Sequence, residues 1–174
     1  MITLALGAEI SATRRTVWSA LVDPGQVMRW RRERSAVLEA LDGGPQVGRS
    51  ARFLASLHGL PLVLRETALE VAPGERLRCA VSWGLFHYEE TFALATLSTD
   101  PPRTRVSLRV TTESQLPVVG GSLDRFDVRR LAAELSDAAL AALRTWCESQ
   151  DSAPAGPPRA AAAMAAPPAR PPQR

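Results

Sequence analysis

The residues of this chain best suited to chemistry stand on three consecutive stretches of alternating sequence: Arg65, Thr67, Trp83, Tyr88 and Glu90. A guanidinium, a carboxylate and a phenol gathered at one end of an apolar wall would anchor the polar end of a hydrophobic ligand. Strand parity gathers them. If Leu77, Cys79, Val81 and Trp83 face inward, a four-residue loop from Gly84 to His87 pairs Trp83 with Tyr88, Val81 with Glu90, Cys79 with Phe92 and Leu77 with Leu94. A five-residue loop from Ala72 to Arg76 pairs Val71 with Leu77, Leu69 with Cys79, Thr67 with Val81 and Arg65 with Trp83. Arg65 and Glu90 then lie with α-carbons roughly 12 Å apart, within reach of two long side chains that would need each other if buried. Phe92, Leu108, Val110 and Phe126 extend the same face as apolar wall.

Other groupings lack the geometry for catalysis. Glu89 and Glu90 are neighbours on a strand and point to opposite faces, so they make no acid/base dyad. His58 falls in a Gly-Pro turn and His87 in a hairpin loop, neither with a second ligand at metal spacing. No metal and no cofactor is expected. Gly120-Gly121 has no following lysine and reads as a hinge before a helix, and no serine sits in a nucleophile-elbow pattern. Arg29, Arg31, Arg32 and Arg34, interrupted by Trp30 and Glu33, read as a solvated helix end.

The elements that must hold these residues follow from the period of the apolar positions. Ile2, Leu4, Leu6, Ala8 and Ile10 alternate as a first strand. Ser11 or Thr13 suits an N-cap ahead of a helix carrying Val17, Trp18 and Leu21, and Asp23-Pro24 stops it and opens a second short helix to Trp30. Six further strands are expected near Ser35–Leu41, Gly48–Leu57, Leu62–Val71, Leu77–Trp83, Tyr88–Leu97 and Thr104–Glu113, parted by turn signals. A long helix follows from Leu123 to about Cys147, with Leu131, Leu135, Ala139 and Trp146 expected on an alanine-rich inner face. The whole is an α+β architecture: a curved antiparallel sheet of about seven strands closed around a C-terminal helix, with an apolar cavity between.

Composition bounds the rest. Of 174 residues 45% are hydrophobic and 22% charged, which suits one soluble globular domain, and no apolar run is long enough for a membrane span. The first residues read as a strand and not as a signal peptide, so a cytoplasmic protein is expected. All 21 positive residues are arginine; three of them (Arg159, Arg170, Arg174) lie near the end, leaving 18 against 17 acids in residues 1 to 150. That balance is no nucleic-acid footprint. Cys79 and Cys147 are too few for a disulfide framework. From Asp151 to Arg174 seven prolines and nine alanines replace the apolar pattern, so the domain is expected to occupy 1 to 150 and the Pro/Ala/Arg-rich remainder, 151 to 174, to be a disordered tail.

A strand, two short helices carrying Val17-Trp18, Leu21, Asp23-Pro24 and Trp30, a six-strand meander containing Val71-Ala72-Pro73-Gly74-Glu75-Arg76-Leu77, and a final long helix together resemble the START/SRPBCC superfamily over residues 2 to about 148. The resemblance implies the helix-grip fold and a range of roles that includes lipid transfer, polyketide cyclisation and activation of the Hsp90 ATPase. The matching residues mark the fold and not an active site. The primary expectation is a pocket that binds a small hydrophobic or aromatic molecule, for transport or sequestration, with little or no catalysis. The alternatives are an enzyme of the polyketide cyclase/dehydratase type using Tyr88, Glu90 and Arg65, and a protein-interaction module similar to the Hsp90 activators. A hollow interior would favour the first two.

Overall fold

The computed structural model describes residues 1–151 except 42, 58–59, 84–85, 113–115, 119–120 and 124; the side chains of 57, 60, 116–118, 121–123 and 125–127 also lie outside the description. Of the expected tail, 151 to 174, all but Asp151 is outside the described residues too. Strand β1 (Ile2–Ile10) leads to helices α1 (Arg14–Val22) and α2 (Pro24–Trp30). Strands β2 (Arg34–Glu39), β3 (Ser50–Leu57), β4 (Leu60–Ala72), β5 (Arg76–Trp83), β6 (Phe86–Thr99) and β7 (Pro102–Thr112) follow as an antiparallel meander. A small hairpin, β8 (Leu116–Val118) and β9 (Gly121–Leu123), stands where a glycine hinge was expected, and helix α3 (Arg125–Asp151) ends the described chain. The large sheet has the order β1-β7-β6-β5-β4-β3-β2, so the first strand closes beside the last of the meander. This is the helix-grip fold.

The two short helices are cut apart by one residue. Thr13 caps α1, its side chain accepting from the Thr16 N–H, and Asp23 serves both helices. The Asp23 N–H donates to Ser19 O at 2.9 Å and ends α1, while its carboxylate accepts from the Gly25 N–H at 2.8 Å and starts α2, with Pro24 in the first turn. The Trp30 indole N–H then donates to Ala20 O at 2.8 Å, folding α2 back on α1. Val17 and Trp30 are buried and Trp18 half-buried against the sheet.

Helix α3 presents two adjacent stripes. Val128 packs on Ile2 and Leu4, and Leu140, Leu143 and Cys147 pack with Ile10, Ala12 and Val17 in the main core. Of the residues expected to be buried, Leu131, Ala139 and Trp146 are only partly so, and Leu135 is 40% exposed. Three-and-four spacing fits both stripes, and contact with β1 and α1 selects the first. The second stripe faces the hollow of the sheet. The far end of α3 is held by side-chain acceptors: Glu148 accepts from the Ser11 N–H at 3.0 Å, and Asp151 from the Thr13 N–H at 2.9 Å and the Thr16 hydroxyl at 2.8 Å.

Register departs from expectation in two places. Strands β5 and β6 pair Trp83 with Phe86, Val81 with Tyr88, Cys79 with Glu90 and Leu77 with Phe92, a slip of two residues that preserves every side chain's face. Two residues, not four, separate the paired positions Trp83 and Phe86. Between β4 and β5 a bulge at Leu69 lies between the pairs Ala68–Cys79 and Glu70–Arg78, a slip of one. One residue exchanges the faces of everything before it on β4. Leu64, Glu66 and Ala68 therefore turn inward, and Arg65 turns out to solvent.

Candidate functional site

A cavity of about 310 Å³ lies between the sheet and α3. Its floor is Leu62 and Leu64 on β4, Trp83 on β5, Tyr88 and Glu90 on β6, and Leu108 and Val110 on β7. Its roof is the second stripe of α3, where Leu131 and Leu135 alternate with Ala132, Ala139 and Ala142. Helical alanines opposite sheet residues leave volume that leucines would fill, so the hollow is written into the helix. The turn Trp30–Glu33 closes one end.

That turn carries the polar centre of the site. After α2 ends, the Arg34 N–H donates to Arg31 O at 3.0 Å, and this tight reversal sends Arg31 and Arg34 inward. They are 7% and 4% exposed, so the reading of this arginine cluster as a solvated helix end is corrected for these two. Arg31 donates to Glu90 at 2.5 Å and lies 3.4 Å from Glu33; Arg34 donates to Glu66 at 2.5 Å. Each guanidinium also lies against aromatic rings, Arg31 at 4.8 Å from Trp30 and 5.7 Å from Phe92, Arg34 at 4.2 Å from Phe53. A charge this far from water needs both kinds of partner.

The cluster sets the protonation of its neighbours. Burial pulls the Arg31 guanidinium down, but Glu90 and then Glu33 outweigh it and hold the group well above its ordinary value. Burial likewise raises Glu66, and Arg34 and Arg31 more than reverse it, leaving that carboxyl below the usual range. Burial and then Glu90 push the Tyr88 hydroxyl up, so it stays protonated and able to donate. Burial, with Glu66 and Glu90, raises the Cys79 thiol. Among the described residues no group of three or more His, Cys, Asp or Glu side chains is arranged to hold a metal.

The expected site residues separate into groups. Trp83, Tyr88, Glu90, Leu108 and Val110 line the cavity together, with Tyr88 against the Trp83 ring at a centroid distance of 6.1 Å. Phe92 lies one layer deeper, 2% exposed and stacked behind Arg31. Thr67 is turned away and shares a 2.8 Å hydrogen bond with Ser50. Arg65 is exposed on the convex face, opposite Arg52. The side chain of Phe126 lies outside the described residues. Arg31, which lines the cavity, was missed, as were Arg34 and Glu66, which pair with each other outside its lining. The available signal was Glu90 itself: an inward carboxylate needs a buried cation, and Arg65 is the nearest in the strand pattern, whereas the cation that meets it comes from the helical turn.

Comparison with known proteins agrees with this fold. A family model described as polyketide cyclase / dehydrase and lipid transport matches residues 1–148. No curated protein matches the chain. Similar solved structures include a START superfamily protein from Mycobacterium smegmatis, 22% identical with a TM-score of 0.69 over 85% of this chain and 98% of that one. A protein from Chromobacterium violaceum is 22% identical, with a TM-score of 0.62 over 84% of this chain and 97% of its own. The ZhuI aromatase/cyclase from Streptomyces sp. R1128 is 16% identical, with a TM-score of 0.66 over 87% and 96% of the two chains. At these identities the likeness is one of fold. With strand order, gripped helix and family model in agreement over nearly all of the described residues, the chain belongs to the polyketide cyclase / dehydrase and lipid transport family of the START/SRPBCC superfamily.

Proposed function

We propose that this protein binds a small hydrophobic or aromatic molecule in the cavity beneath α3, for transport or sequestration. The observation that carries the reading is a hollow of about 310 Å³ with apolar walls and one polar end, a size at the lower limit of small-molecule sites. A module acting only through its surface, in the manner of the Hsp90 activators, has no need of such a hollow, and that reading is set aside. No described helix is long and apolar enough to cross a membrane, so the ligand is expected to reach the cavity from the aqueous side or from a membrane surface.

A second reading, an enzyme of the cyclase/dehydratase type, draws on one observation. The protonated Tyr88 hydroxyl stands in the cavity with Arg31, a donor and a cation where an enolate would form. Binding is preferred because Glu90, the carboxylate available as a base, is already engaged by Arg31 at 2.5 Å. Titration with the neutral fluorescent probe N-phenyl-1-naphthylamine tests the binding reading. The wild-type protein should bind one equivalent saturably, and Ala139→Phe, which fills the roof, should weaken it at least about tenfold. Unsaturable binding, or equal affinity in both proteins, would count against the cavity as the site.

A further inference from the structure

The convex face of the sheet carries arginines in two different settings. On β5 and β7, Arg76 meets Glu70, Arg78 meets Glu89, and Arg103 and Arg105 share Glu9. On β3 and β4 the charges are unmatched. Arg52 and Arg65 stand directly opposite one another, both exposed, and neither makes an ion pair among the described residues. Glu39 faces Arg52 from β2 without bonding to it. Like charges directly opposite on neighbouring strands destabilise a sheet, so nothing within the fold accounts for this pair.

The adjoining cross-strand pairs extend the pattern. Leu54 lies opposite Val63, which is 42% exposed, on one side of the arginines, and Ser50 lies opposite Thr67 on the other. An apolar, a cationic and a hydroxyl pair thus follow one another at about 7 Å, the rise of two residues along a strand. An extended chain laid over β3 and β4 repeats its side chains with the same step, so apolar, acidic and polar residues at alternate positions match all three pairs. Two guanidinium forks side by side hold one carboxylate between them. A second copy of this chain does not fit, because a two-fold contact centred here would set the arginine pair against itself. A membrane surface fits less well: no aromatic side chain stands among these residues, and two cations fall short of the roughly four to eight that mark segments bound to anionic lipid. We infer that the convex face at β3 and β4 is a docking surface for an extended acidic segment of a partner protein, with Arg52 and Arg65 holding its carboxylate beside Leu54 and Val63. The surface lies on the opposite face of the sheet from the cavity and stands independently of the binding reading above.

Fluorescence anisotropy with the full chain at low ionic strength tests it, using a labelled peptide with valine, glutamate and threonine at alternate positions and the same peptide with glutamine for glutamate. The glutamate peptide should bind at least about tenfold more tightly than the glutamine peptide. Arg52→Gln and Arg65→Gln should each weaken it about threefold, and the double variant at least about tenfold, the scale of exposed guanidinium–carboxylate pairs. Arg109 also stands exposed and unpaired among the described residues, but on β7 between Ala5 and Thr91. Arg109→Gln removes the same charge there and should leave affinity within about 1.5-fold. Equal losses in all three single variants would reduce the effect to net charge and overturn the inference, as would no binding of the glutamate peptide to the wild type. Binding to phosphatidylglycerol vesicles in place of the peptide, with the same dependence on Arg52 and Arg65, would overturn it in favour of a membrane contact. Affinity for N-phenyl-1-naphthylamine should be unaltered in Arg52→Gln and Arg65→Gln, and a parallel loss of that probe would show distortion of the domain and not loss of a docking surface.

Discussion

Arg31 reaches Glu90 at 2.5 Å across 59 positions of sequence, from the turn after α2 to the middle of β6, with both side chains less than a tenth exposed. The pair ties the short helices to the sheet at the closed end of the cavity. Replacing Arg31 with Met should lower unfolding free energy by about 3 to 5 kcal/mol, because Glu90 is left buried without a cation. Adding Glu90→Leu should recover much of the loss, since an apolar pair of similar volume strands no charge. Urea denaturation of the two single variants and the double variant gives the coupling.

Acid should weaken the fold through Glu66. Arg34 and Arg31 hold its carboxyl below the ordinary value, so its folded pKa lies below its unfolded one. The contribution is full above the usual carboxylate range and is lost as pH falls through the folded value. Denaturation midpoints from neutral pH downward should fall more steeply in the wild type than in Glu66→Gln, and parallel curves would show that the pair is not the acid-sensitive element.

Both thiols should be inert in the native protein. Cys147 is pushed up to about 12 by burial, with Asp151 and Glu148 adding to it, and Cys79 is raised by burial, Glu66 and Glu90. A raised folded value also means that their contribution to stability is present below the ordinary thiol range and lost only as pH climbs above it. Iodoacetamide at mildly alkaline pH should label neither cysteine until denaturant is added, as read by mass spectrometry.

The two stripes of α3 should respond differently to substitution. Leu143 is fully buried, and Leu143→Ala should cost about 2 to 5 kcal/mol. Leu135 is 40% exposed at the edge of the cavity, and Leu135→Ala should cost less than about 1 kcal/mol while weakening an apolar probe. Thermal melts and probe titrations on the same two variants separate stability from binding.

Arg65 should be dispensable to the site. It is exposed on the convex face, so Arg65→Met should change stability by no more than about 0.5 kcal/mol and leave probe affinity unaltered. A selective loss for a polar ligand would return Arg65 to the cavity.

What the sequence alone determined was everything carried by local period and local chemistry. The alternation from Ile2 to Ile10 makes a strand with one buried face, Asp23-Pro24 divides the two helices, and the turn residues space the meander. The inward parity of Tyr88, Glu90, Leu108 and Val110 was legible because a two-residue error in hairpin register returns each side chain to its own face. The alanines of α3 marked a helix face where the sheet must either approach closely or leave room, and the structure leaves room. The tertiary structure decided what depends on a partner distant in sequence. A single bulge at Leu69 moves Arg65 and Thr67 off the inward face and brings Glu66 in, and such a bulge is settled by how β4 pairs with β5 and packs over the core. The cations that neutralise Glu90 and Glu66 come from a tight turn dozens of residues earlier, because a carboxylate buried in the sheet binds whichever guanidinium the packed helices bring within reach.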